Sequence, residues 1–341
     1  MSRDRARTNA RGRSRPMYCR VGQVWGCAAL VAATLGCVTG GNREGPKSDL
    51  NPRIDALIQK RLPMLQRNDL HVAGERLGDE ELEAILADSR VPMLHTLDVA
   101  DNRLSKNAVD IVLSSPKAAA LRLLDLTANP IGDAGLAQLA SSRRDRPNKL
   151  MSLGLVGVDA TARGARALAR ASLPALARLH IGWQNLGDDG ARALAGLPAL
   201  DALDVTHSEI TGPGARALIA GTRAKKLVLA ENPIEAGSLR GLEAVSGQLR
   251  WLSLRKTRIG AGDAAVLAAL DTALQGLDLA YCPLADRGLG HLARARWLAH
   301  LQTLDVSSAG TSPAGRKVLR QAWGPRPGLV METDSASPDS R

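Results

Sequence analysis

The feature that most constrains this chain is a spacing of leucines that recurs along most of its length. In "LRLLDLTANPIGDAGLAQLA" (121–140), Leu121, Leu124, Leu126 and Ile131 stand 3, 2 and 5 residues apart. Neither a helical period of about 3.6 nor a strand period of about 2 fits the whole stretch. "LLDL" alternates as a strand does, and "GDAGLAQLA" has the spacing of a short helix. Written L-x-x-L-x-L-x-x-N-x-L, the pattern starts at Arg67, Leu94, Leu121, Leu150, Leu176, Leu200, Ala224, Leu249, Leu274 and Leu301, at steps of 24 to 29 residues. Ten residues after the Asn position stand Val112, Leu139, Leu168, Leu194, Leu218, Leu242, Leu267, Leu292 and Leu319. Four residues before most of these comes a glycine, as at Gly135, Gly164, Gly190, Gly214, Gly288 and Gly315.

One such unit has a strand and a short helix and cannot bury its own apolar face. Stacked units bury a continuous core and are stabilised by their neighbours. Leucine at pattern positions 1, 4, 6 and 11 is expected to point inward. Asn at position 9 can satisfy backbone groups where the strand turns away. That position holds Asn102, Asn129 and Asn232, but Gln184, Ser208, Thr257, Cys282, Val158 and Ala309 elsewhere, so the asparagine ladder is broken.

"LHTLDVADNRL" (94–104), "LDALDVTHSEI" (200–210) and "LQGLDLAYCPL" (274–284), with "GARALA" helices, resemble the ribonuclease-inhibitor type of leucine-rich repeat. The resemblance covers roughly residues 67–322 and implies an α/β solenoid, a horseshoe with a concave parallel sheet and convex helices, in about ten repeats. Most units are shorter than the alternating units of about 28 and 29 residues that the resemblance implies. The family includes inhibitors, receptors and activators of small GTPases, and the motif does not choose a partner.

The ends are a different kind of sequence. Arg3, Arg5, Arg7, Arg11, Arg13, Arg15 and Arg20 precede the apolar run "VGQVWGCAALVAATLGC". A basic segment followed by about 15 mostly apolar residues is expected to be a secretory signal, and is short for a membrane span. "TLGC" looks like a bacterial lipobox with Cys37 as the lipidated residue, although Thr34 and Leu35 depart from that motif. A plain cleaved signal and an uncleaved anchor or misread leader are the alternatives. Starting at Met17 gives a signal of more ordinary length. The expected organisation is therefore a signal over 1–37, a tether over 38–52, a helical cap over 53–66, repeats over 67–325 and a disordered tail over 326–341. Val38 lacks the Asp that retains a bacterial lipoprotein in the inner membrane. The resemblance thus places the chain in the cell envelope, on the outer membrane or in the periplasm.

This changes how the net charge of +11 is interpreted. Without residues 1–37 it falls to +5, so nucleic acid is not expected as a partner. The helix-face arginines Arg163, Arg166 and Arg170 suit a solvated convex surface, and "SSRRDRPNK" (141–149) is expected to be a loop insertion. Cys19 and Cys27 fall in the leader, leaving Cys282 in the repeats as an expected buried small residue.

On a strand-lined solenoid, positions 2, 3, 5, 7 and 8 are expected to face the concave side. Aromatics are scarce: there is no Phe, and beyond the leader only Trp183, Trp251, Tyr281, Trp297 and Trp323 remain. Trp183, Trp251 and Tyr281 fall on expected concave positions. Trp, Tyr and Arg are the side chains that anchor protein interfaces. The expected patch for a protein partner is Arg178, His180, Trp183, His207, Glu231, Trp251, Arg255, Lys256 and Tyr281. The alternative is that Trp183 and Trp251 pack only on neighbouring strands. At position 5, Asp98 and Asp125 are expected one strand spacing apart, ~4.8 Å, as solvated acids, and His180 can pair with Asp204.

Enzyme motifs are absent: no G-x-x-x-x-G-K-S/T, H-E-x-x-H, G-x-S-x-G or paired C-x-x-C occurs. The GTPase-activating relatives point to a loop arginine, for which Arg90, Arg143, Arg144 and Arg146 are the positions available. No cofactor and no metal is expected. The reading is a non-catalytic, protein-binding, lipid-anchored repeat protein. A purely architectural envelope protein is the alternative, and a GTPase regulator a weaker one.

Overall fold

The computed structural model describes residues 52–141 and 149–331. The leader with Cys37, the tether to residue 51, the arginines of the 142–148 insertion and the tail from 332 lie outside the described residues. Helix α1 (Pro52–Leu65) comes first and buries Ile54, Leu57, Ile58 and Leu65. Three-residue strands then recur once per repeat: β1 (Asp69–His71), β2 (Thr96–Asp98), β3 (Leu123–Asp125), β4 (Ser152–Gly154) and β5 (Arg178–His180). They continue as β6 (Ala202–Asp204), β7 (Lys226–Val228), β8 (Trp251–Ser253), β9 (Gly276–Asp278) and β10 (Thr303–Asp305), and β11 (Leu329–Val330) closes the row. All pair in parallel and in chain order. From β1 to β10, equal pattern positions stand opposite each other.

Each strand from β1 to β10 occupies pattern positions 3 to 5. Strand alternation sends position 4 into the core and positions 3 and 5 to the opposite, open face. Leu97, Leu124, Leu179, Leu203, Leu252 and Leu304 at position 4 are accordingly buried, as are Leu94, Val99 and Leu104 at positions 1, 6 and 11 of one repeat. Each fully buried leucine contributes roughly 2 kcal/mol. Only the adjacent repeats cover it, so the array is stabilised as a stack.

The asparagines close the strand ends. Asn102 Nδ2 donates to Val99 O (2.8 Å), Ala100 O (3.1 Å) and, one repeat back, Val72 O (3.0 Å). Its Oδ1 accepts from Leu77 N at 2.9 Å. Asn129 and Asn232 repeat this arrangement. Where the ladder is broken the substitutes differ in reach. Gln184 still spans to the preceding repeat, accepting from Ala160 N at 2.6 Å and donating to Leu155 O. The Cys282 thiol donates to Leu254 O at 3.0 Å, also one repeat back. The Thr257 hydroxyl turns to its own strand, donating to Leu254 O at 2.7 Å.

On the other side lie α2 (Asp79–Ala87), α3 (Asn107–Ser114), α4 (Gly132–Ser141), α5 (Ala162–Ala169), α6 (Gly187–Ala195) and α7 (Gly212–Gly221). They are followed by α8 (Ala261–Ala269), α9 (Ala285–Leu292) and α10 (Pro313–Trp323). Glycine lets α4 to α7 lie close: a Cβ on Gly164 would stand 2.6 Å from Asp133 Oδ1. Carboxylates from one helix cap the next. Asp188 accepts from Thr211 N (2.8 Å), the Thr211 hydroxyl (2.7 Å) and Gly214 N (3.0 Å). These N–H groups at a helix start have no partner within their own helix.

Two expectations are corrected. The repeat beginning at Ala224 has no α-helix, although Leu242 stands at the expected place and is buried. Gly237 and Gly241 adopt φ of +81° and +78° there, which breaks any helical run. The fully buried Asp263 of α8 accepts from Gly237 N and Leu239 N, both at 2.8 Å, and holds that segment in place of a helix. Residues 326–331, expected to belong to the tail, are also part of the fold. Arg326 stacks on Trp323 at 4.4 Å and donates to the carbonyls of Ala299 (2.6 Å), Leu298 (3.0 Å) and Leu301 (3.3 Å). It thereby seats β11 against β10.

Candidate functional site

Position 8 is the corner at which the chain leaves the sheet. Asp101, Ala128, Gly157, Trp183, His207, Glu231, Lys256, Tyr281 and Ser308 all have φ between +51° and +62° there. Left-handed backbone is ordinary for Gly and tolerable for Asp, but bulky side chains adopt it at a cost. The backbone N–H at the corner still bonds across the stack, as Trp183 N does to Thr206 O (2.7 Å) and Tyr281 N to Ser307 O (2.9 Å). The corner geometry is therefore imposed by the sheet, whatever residue occupies it. These residues belong to the corners that directly follow the strands.

The nine expected residues fall into small groups. Trp183 stacks on His207, and Lys256 Nζ lies 2.8 Å from Glu231 Oε1. Arg255 lies over the Tyr281 ring at 4.8 Å while reaching Asp305 at 3.6 Å and Asp278 at 4.0 Å. His180 Nδ1 is 3.6 Å from Asp204 Oδ2. Arg178 stands exposed on β5. Trp251 lies half-buried on β8 beneath Lys226, whose Nζ is 5.5 Å from the ring. Its ring fills the space above Gly276 in the next strand, where any Cβ would collide with it. Trp251 thus has a packing role, whereas Trp183 and Tyr281 remain 42% and 49% exposed. Trp297 and Trp323 are core residues.

Sequence reasoning expected the position-5 aspartates to be solvated acids, and the structure gives them a backbone task. Asn102 and Asn129 take the position-6 carbonyl of the preceding repeat, and the position-7 N–H groups of Ala100, Thr127 and Thr206 have no cross-strand backbone acceptor. The aspartate two residues earlier serves instead: Asp98 accepts from Ala100 N at 3.1 Å, Asp125 from Thr127 N at 2.9 Å and Asp204 from Thr206 N at 2.9 Å. Burial and hydrogen bonding move two of these acids in opposite directions. Burial pushes the Asp125 carboxyl up, and the Asp98 charge adds to that against hydrogen bonds from Thr127. Burial would do the same to Asp204, but hydrogen bonds from His180 and Thr206 together hold it below the usual carboxylate range. The hydrogen bond to Asp98 raises His71, against the effect of burial.

The loop arginine Arg90 is clasped by Asp88 (2.8 and 2.9 Å) and Asp55 (2.7 Å), which ties α1 to the first repeat. Cys282 is fully buried, and burial pushes its thiol up. Among the described residues no three His, Cys, Asp or Glu side chains converge as a metal site would require. No helix there is long and apolar enough to cross a membrane.

The family model "Leucine Rich repeat" matches residues 120–140 and 198–218, each a strand, corner and helix of one unit. Among solved structures, an internalin from Listeria monocytogenes is 17% identical at a TM-score of 0.46, with 83% of this chain and 88% of that one covered. A plant ice-binding protein is 17% identical at a TM-score of 0.39, covering 79% and 76%. A TDR receptor is 14% identical at a TM-score of 0.35, covering 78% and 55%. No curated protein matches the chain. With parallel strands stacked in register, an inward leucine set in each unit and an Asn-centred ladder closing the corners, this chain folds as a leucine-rich-repeat solenoid.

Proposed function

We propose that the chain is a non-catalytic protein-binding scaffold that uses the open face of its sheet across β5 to β9, and that it is exported and lipid-anchored through Cys37. The observation that carries the binding role is the exposure of Trp183 and Tyr281. Both are held in backbone that penalises large side chains, at corners where Ala128, Gly157 and Ser308 serve the fold equally well. Large aromatics at such positions are not needed for the stack, and exposed Trp and Tyr suit an interface anchor. The anchoring rests on the basic leader, its apolar run and "TLGC".

The test uses the full chain as bait on envelope extracts from its host, with Trp183→Ala/Tyr281→Ala and Arg163→Glu/Arg166→Glu variants beside it. A specific partner is lost with the first pair and retained with the second, which lies on the helical face. If both variants capture what wild type captures, the architectural reading replaces this one, and the Trp183–His207 and Arg255–Tyr281 contacts are then self-contained packing. Intact mass and membrane fractionation of wild type and Cys37→Ala test the anchor. Diacylglycerol mass on Cys37 with membrane partitioning supports it, and an unlipidated soluble chain refutes it.

A further inference from the structure

The open face between β5 and β8 carries unspent positive charge. Its carboxylates are already engaged: Asp201 with Lys225 (2.8 Å), Glu231 with Lys256 (2.8 Å), and Asp278 and Asp305 with Arg255. Asp204 accepts from the Thr206 hydroxyl (2.6 Å) and N–H and faces His180. Two exposed cations have no carboxylate partner among the described residues, Arg178 on β5 and Lys226 on β7. Both stand at position 3, in register through the small Ala202 of β6 between them. Two strand spacings separate their backbones, roughly 10 Å. The next residue in the same row is Trp251, with Lys226 over its ring.

We infer that this row binds an acidic extended segment of a partner protein, with two carboxylates seated on Arg178 and Lys226 and an apolar side chain following on Trp251. The spacing suits residues three apart in a polyproline II segment, which rises about 3.1 Å per residue and returns its side chains to the same face every third residue. Ala202 leaves the path between the cations open. Charge complementarity chooses the occupant, because a basic segment would find Asp201, Asp204, Glu231, Asp278 and Asp305 engaged and two cations without carboxylate partners opposing it. The inference rests on the proposed binding role and specifies its partner's chemistry.

The experiment pans the immobilised full chain against a displayed random 12-residue peptide library, and repeats it with Arg178→Glu/Lys226→Glu and with Trp183→Ala/Trp251→Ala. The expected pool is enriched severalfold in Asp and Glu, with recurrent three-residue spacing. Its clones lose about tenfold in affinity on the charge reversal, the scale of two partly exposed ion pairs. Clones that depend on Trp183 or Trp251 without an excess of acid overturn this inference and leave the binding role standing. A pool indifferent to all four positions overturns both. Heparin binding that depends on Arg178 and Lys226, with no acidic clones recovered, assigns the cations to a sulfated glycan and overturns the inference as well.

Discussion

The indole of Trp183 stacks on the imidazole of His207 in the next repeat, with ring centroids 4.4 Å apart and planes inclined by 24°. Both residues sit in left-handed backbone, at φ of +56° and +51°. The stack is worth about 0.5–1.5 kcal/mol beyond burial, and the backbone costs a bulky residue about 1–2 kcal/mol. The two effects nearly cancel. Trp183→Gly is therefore expected to change unfolding free energy by less than about 1 kcal/mol in urea denaturation while removing binding. A loss above about 3 kcal/mol would show that the indole is there for packing.

Asn232 carries more of the fold than its size suggests. Its side chain bonds Ser208 N, Ile210 N, Val205 O, Leu229 O and Ala230 O, all in a buried turn. Each buried group left unsatisfied costs roughly 1–3 kcal/mol. Asn232→Ala is expected to cost about 3 kcal/mol or more, against about 1 kcal/mol for Thr257→Ala, which forfeits one short bond to Leu254 O and a long contact with Cys282 Sγ. Denaturant titration of the two variants compares them directly.

Asp125 and Asp204 occupy the same pattern position, yet removing their charges is expected to act with opposite sign. Asp125 is held above its unfolded value, so the native state is stabilised by its proton, and that contribution fades as pH rises through the folded pKa. Asp204 is held below its unfolded value, so its contribution is present above the unfolded pKa, near 3.9, and is lost as pH falls through the folded one. At neutral pH, Asp125→Asn should stabilise and Asp204→Asn destabilise. Near pH 3 the Asp125 gain should vanish and the Asp204 loss should shrink. Thermal melts at pH 3 and pH 7 measure both.

Asp188 caps α7 from the preceding repeat. Asp188→Ala is expected to cost about 1–2 kcal/mol, the usual value of a helix N-cap. Adding Thr211→Ala should cost less than the sum of the two single changes, because both remove the same contact. A double-mutant cycle by chemical denaturation checks this.

Cys282 is expected to be inert in the folded state, since its buried thiol is pushed away from the thiolate that reacts. In a chain with Cys19, Cys27 and Cys37 changed to serine, Ellman's reagent should label nothing until denaturant unfolds the stack. Rapid native labelling would show a repeat that opens locally.

The repeat pattern alone determined the stacking direction, the inward leucines and the place of each strand, because these follow from residues a few positions apart in one unit. It also marked Trp183, Trp251 and Tyr281 as unusual. Only the tertiary structure decided what became of them. Trp251 and Tyr281 stand at different pattern positions, and the difference between filling the space over Gly276 and standing clear of the sheet depends on the neighbouring strand. The same holds for the missing helix after Asn232, where a buried carboxylate from Asp263, some 25 residues on, replaces a helix. It holds too for the engaged acids that leave Arg178 and Lys226 without a carboxylate partner among the described residues. Local periodicity decides which way a side chain points, whereas its partners come from the adjacent repeats, and a single unit's sequence does not contain them.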